Sequence, residues 1–151
     1  MPAARITDVL LLRALVCIGL FASIASAQRR TVTGEGSVRT SRRETLFHLL
    51  IAGDATSLSV ESGRCHGGVC PIERHWLFEG PLTNGPEPLR ASLSRVSTRD
   101  AGASMSDPAE RSDVTLECRR SAEILRCTLT GALPPSWGHL PRSFELQPRG
   151  M

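Results

Sequence analysis

Residues 113–133, DVTLECRRSAEILRCTLTGAL, decide the fold, because they read as a β-hairpin with one cysteine in each arm. Val114, Leu116 and Cys118 alternate with polar residues, and so do Leu125, Cys127 and Leu129. A two-residue period places each set on one face of a strand. Folding the chain about Ala122 and Glu123 sets Cys118 opposite Cys127, Leu116 opposite Leu129 and Val114 opposite Gly131. Turn, apolar faces and sulfurs agree on this register, and a slip of one residue would ruin all three.

Working outward, the flanking chain is also strand-like. Residues 89–97 alternate through Leu89, Ala91 and Leu93 and lose phase at Val96, which marks a bulge or a strand end. Residues 98–112 (TRDAGASMSDPAERS) are small, polar and contain a breaker, so an exposed loop is expected there. Trp76, Leu77 and Phe78 make 72–82 the most apolar stretch after residue 27, and the turn TNGPEP at 83–88 closes it. Residues 63–70 form a glycine-rich turn, and 57–61 alternate as a strand.

Residues 41–53 support two readings. Ser41 with Glu44 is a capping box, and Leu46, Phe47, Leu50 and Ile51 recur at helical spacing. The same residues form a good buried strand turning at Gly53-Asp54, and the strand is preferred because everything downstream is strand-like. Residues 31–33 and 37–39, around Gly34 and Gly36, are edge strands or a loose arm. At the other end, 134–141 (PPSWGHLP) is a stiff connector, and 143–147 is a last strand with Phe144 and Leu146 facing one way. The expected fold is mainly β. It is a small antiparallel β-sandwich or barrel of about six to eight short strands, with two disulfides and at most one short helix, at 41–52.

Residues 1–27 have the three parts of a secretory signal: Arg5 and Arg13, an apolar run, and Ala25-Ser26-Ala27 before Gln28. The run is shorter than the ~20 residues a spanning helix needs, so cleavage is expected and residues 28–151 form one domain. Every basic residue is arginine, the mark of a GC-rich and hence bacterial source, so the expected location is periplasmic or extracellular. The arginines are interleaved with acids and aromatics are few, which argues against a nucleic-acid groove. Removing Cys17 with the signal leaves Cys65, Cys70, Cys118 and Cys127. An even number in an exported chain points to disulfides, and the hairpin register selects Cys118 with Cys127 and Cys65 with Cys70.

The run Cys65-His66-Gly67-Gly68-Val69-Cys70 is the nearest approach to a chemical motif. Its spacing fits neither haem attachment nor a redox dithiol. A metal site built on Cys65, His66 and Cys70, with His48 or His75 as a further ligand, is the alternative to a disulfide-closed loop. There is no Gly-x-Ser-x-Gly elbow, and His48, His75 and His139 lie in unrelated settings, so a hydrolase would rest on no specific residue. Trp137, held between prolines, and the neighbouring His139 are the candidate partner contacts; the competing role for Trp137 is to plug a barrel end. The expected function is a non-catalytic binding module without a cofactor. Its expected partner is a protein or cell-envelope component, met by loops on a rigid β scaffold, with no span left in a membrane after cleavage.

Overall fold

The computed structural model describes residues 31–85, 87–101 and 112–149, with only the backbone of Val96. The expected signal segment and Cys17 lie outside the described residues. Eight strands run in sequence order: β1 (Thr31–Arg39), β2 (Arg43–Ala52), β3 (Ala55–Arg64), β4 (Arg74–Asn84), β5 (Leu89–Asp100), β6 (Asp113–Ser121), β7 (Ile124–Gly131) and β8 (Ser143–Arg149). Each pairs antiparallel with its neighbours, and β8 returns to β1, closing a barrel. Closure removes every exposed sheet edge. A 3₁₀ turn, η1 (Pro135–Trp137), lies between β7 and β8.

The hairpin forms in the expected register, with Val114 on Gly131, Leu116 on Leu129 and Cys118 on Cys127. Both cysteines are 1% exposed, so their disulfide is part of the core and not a surface clasp. Residues 43–52 are strand, and the helical spacing of Leu46 and Leu50 is overridden by the barrel. There the odd-numbered Thr45, Phe47, Leu49 and Ile51 face inward, while Leu50 is left 44% exposed. Residues 31–39 form one strand and not a loose arm. Its glycines are in phase with the interior: Gly34 pairs with Leu49 and Gly36 with Phe47. A Cβ on Gly36 would lie 1.9 Å from the Glu145 carbonyl oxygen, so β8 can pass this close only over glycine. Gly80 plays the same part in β4, where a Cβ would lie 1.9 Å from the Ser92 oxygen.

The loss of phase at Val96 is a bulge. Leu77 pairs with Ser97 and Phe78 with Arg95, so the register steps over Val96 and the strand continues. Thr98, expected in a loop, is therefore a buried strand residue at 6% exposure, and β5 ends only at Asp100. The rest of the expected loop, 102–111, lies outside the described residues.

Phe47 stacks on Phe144 at 3.9 Å between ring centres, and with Leu49, Leu58, Leu116 and Leu146 fills the barrel. The outer face carries ion pairs instead, including Arg90 and Arg119 on Glu117, and Arg126 on Glu145. An apolar inside and a charged outside are the reverse of a transmembrane barrel. No described helix is long and apolar enough to cross a membrane.

Two substitutions test these assignments. Replacing Cys118 and Cys127 together by alanine should cost about 3 kcal/mol in urea unfolding, by loop-closure entropy, and should exceed the loss from replacing Cys65 and Cys70. Gly80→Ala should cost about 1–3 kcal/mol through the clash with the Ser92 carbonyl.

Candidate functional site

The two ends of the barrel differ. At one end the strands are joined by the short connections 53–54, 85–88 and 122–123. At the other, among the described residues, lie 40–42, 65–73 and 132–142, so the two longest described connections share one rim. Loops placed by a rigid scaffold are where binding residues concentrate. A cavity of about 500 Å³ opens at this loop end, and Arg43, Arg64, Arg74, Trp76, Trp137 and His139 are among the residues lining it.

The floor is built by the 132–142 connection. Pro134 and Pro135 turn the chain into η1, and Trp137 folds inward to 2% exposure. Its ring lies 5.3 Å from Trp76 and 5.9 Å, edge-on, from Phe78. Both indole N–H groups are occupied: Trp76 Nε1 donates to Ser136 Oγ at 3.0 Å, and Trp137 Nε1 to the Leu140 carbonyl at 3.2 Å. Both rings are almost wholly covered, at 1% and 2% exposure, and neither indole keeps a free donor. Trp137 is a core residue that doubles as a cavity wall, while His139 stands exposed at the mouth.

Above this floor the inward positions change from apolar to polar. Thr45 and Ser62, each 1% exposed, lie 3.4 Å apart through their hydroxyl oxygens. One step further out, Arg43 Nη1 donates to Ser62 Oγ at 3.1 Å. Arg74 pairs with Asp100, and its guanidinium carbon lies 6.0 Å from the centre of the Trp76 ring. Arg64 meets Glu73 at 3.5 Å. The hydrogen bond from Arg74 is the main reason that the Asp100 carboxyl titrates below the ordinary aspartate range; desolvation opposes it, and the Arg74 charge adds to it.

The other sequence candidates lie elsewhere. Cys65 and Cys70 are joined in a disulfide, which takes up two of the three donors that a metal site there would need. His66 and Val69 exchange backbone hydrogen bonds of 2.8 and 3.1 Å around Gly67-Gly68, and Arg39 donates to the Gly68 carbonyl at 2.8 Å. Among the described residues no three His, Cys, Asp or Glu side chains are grouped to hold a metal. His48 lies on the outer face with Nδ1 3.9 Å from Glu35. His75 lies on the same convex face, its Nε2 2.8 Å from Ser59 Oγ. His139 is at the cavity mouth, so the histidines converge on no common cleft.

The sequence reading missed Arg43, Arg64 and Arg74. A signal was available, since each continues the inward phase of its strand, two residues from Thr45, Ser62 and Trp76 respectively. An arginine in phase with a core face is uncommon, because charge is seldom turned inward without a partner.

Trp137→Ala should lower the thermal midpoint strongly, by about 3–5 kcal/mol in stability, because it opens the core. The Asp100 carboxyl carbon, followed by NMR, should titrate at lower pH than a free aspartate. Its lowered pKa means that the Arg74 pair stabilises the fold at neutral pH and loses that contribution as pH falls through the lowered value. No protein-family model matches the chain, and neither does any curated protein or any solved structure.

Proposed function

We propose that the protein is an exported, non-catalytic binding module that takes its ligand in the cavity at the loop end of the barrel. The observation that carries this reading is the roughly 500 Å³ cavity at the loop end, lined by strand ends of β2 to β5, by Glu73 and by residues 136–140. Small-ligand sites are typically about 300–1,000 Å³, and barrel mouths are one of their preferred places. An eight-stranded barrel is also just wide enough to hold one small ligand when side chains do not fill it completely. Here side chains fill the barrel itself, Trp137 and Leu140 closing the core beneath the loop-end cavity.

Export is supported by the signal pattern of residues 1–27 and by two disulfides, which persist where thiols are oxidised. A periplasmic or extracellular setting makes a cell-envelope component a natural source of the ligand, free or carried at the tip of a larger molecule. Catalysis gains no support from the cavity. Ser136 Oγ is held by Trp76, and no hydrogen bond joins His139 to a serine or an acid among the described residues.

The chain has two tryptophans and no tyrosine, and both tryptophans line the cavity, so intrinsic fluorescence above 290 nm excitation reports on this site. Titration with the amphiphilic anionic dye 1-anilinonaphthalene-8-sulfonate should give saturable energy transfer from tryptophan with one site per chain. Non-saturating dye fluorescence, or none excited through tryptophan, would refute the reading.

A further inference from the structure

We propose that the loop end of the barrel docks on an anionic lipid surface, with the 65–73 connection as its apolar tip and Arg39, Arg42 and Arg64 as the cations beside it. The proposal stands apart from the cavity and holds whether or not the cavity takes a ligand. The observation that calls for a partner is a loop that is firmly anchored and yet leaves its own apolar side chains outside. The Cys65–Cys70 disulfide closes it. The Cys65 N–H donates to the Arg42 carbonyl, and the Glu73 N–H to the Ser62 carbonyl, both at 2.9 Å. Arg39 holds the Gly68 carbonyl, and the Pro71 carbonyl passes so close over Gly63 that no side chain fits there. Fixing a loop costs conformational entropy, which burial of its apolar groups ordinarily offsets. Here Val69 stands 68% exposed and Ile72 46%, with Pro71 between them exposed as well. Among the described residues only Leu50, on the convex face, is a further large apolar side chain left exposed.

The kind of partner follows from shape and charge. A protein interface is usually centred on aromatic or arginine anchors seated in pockets. Val69, Pro71 and Ile72 are instead small apolar side chains on an exposed loop, which suit a surface that yields around them. Arg39 at the end of β1, Arg42 in the turn to β2 and Arg64 at the end of β3 are all exposed. The contacts just described hold them beside the tip, and the acid of the loop, Glu73, is already paired with Arg64. Cations beside an apolar tip match the two layers of an anionic bilayer surface, phosphates outside and acyl chains beneath. The contact is peripheral: the apolar tip enters the interface while the charged outer face of the barrel stays in water.

The test is flotation of the intact mature protein with two kinds of vesicle, one of phosphatidylcholine alone and one of phosphatidylcholine with an equal part of phosphatidylglycerol. The protein should float with the mixed vesicles and stay behind with the neutral ones, and added salt should release it, a check that needs no variant. Replacing Val69 and Ile72 together by serine should weaken binding at least about tenfold through the lost apolar burial. Arg42→Gln should weaken it about fivefold, the Cys65 hydrogen bond being kept because it goes to the Arg42 backbone. Leu50→Ser, on the convex face, should leave binding unchanged. All these side chains are exposed, so the variants should fold as the wild type does. A protein that floats with neither vesicle, one that floats equally with both, or a serine double variant that floats as well as the wild type would overturn the proposal. Sedimentation velocity reads the competing occupant: a wild-type dimer that the double substitution turns into a monomer would assign the loop to a second copy of the chain and overturn the lipid assignment.

Discussion

The structure depends on the hydrogen-bonded closure of β1 onto β8, which pairs Thr33 with Arg149 and Glu35 with Gln147. Without that seam the sheet would have two open edges, and its inner face would have nothing opposite to pack on. With it, alternation gains a meaning: outside the β5 bulge, nearly every second side chain goes into one shared interior and the rest face outward. The strands crowd at the seam. Gly34 and Gly36 leave room there for Leu146 and the Glu145 carbonyl, and the Phe47–Phe144 stack fills the barrel beside them. A glycine pair that looks like a break in a strand is what allows the first strand to meet the last.

The interior is graded along the barrel axis. Leucines and phenylalanines fill the middle, two hydroxyls follow at Thr45 and Ser62, and the guanidinium groups of Arg43, Arg64 and Arg74 form the last layer. This order holds charge where water reaches it, while the buried hydroxyls of Thr56 and Ser112 make no hydrogen bond among the described residues. The disulfides divide between the two tasks. Cys118–Cys127 belongs to the core, whereas Cys65–Cys70 stiffens a rim loop whose Val69 stands 68% exposed. One bridge secures the scaffold; the other shapes the end that carries the site.

The hairpin register could be read from the sequence because three independent signals converge on Cys118 and Cys127, and a period of two tolerates no slip. The strand at 43–52 was harder, since Leu46 and Leu50 fit a helix as well as the outer face of a barrel; only the tertiary context separates the two. β5 was read too short for a related reason. The bulge at Val96 shifts the phase, so Thr98 and Asp100 look like loop although they continue the strand. The site was legible only in fragments. Trp137 stood out as a constrained aromatic, but its neighbours Arg43, Arg64, Arg74 and Trp76 come from three strands whose meeting depends on closure. No local pattern brings them together.

Because β1 starts and β8 finishes side by side, at the end with the short turns, the barrel has a natural handle and a natural face. A domain fused at Thr31 or at Arg149 would join the barrel at the end opposite the cavity. The adjacency also makes the polypeptide nearly circular. A short linker from Arg149 to Thr31 would close the loop, and the chain could then be opened at the 53–54 or 122–123 turn. The order of strands along the sequence would change, but not the order of strands around the barrel.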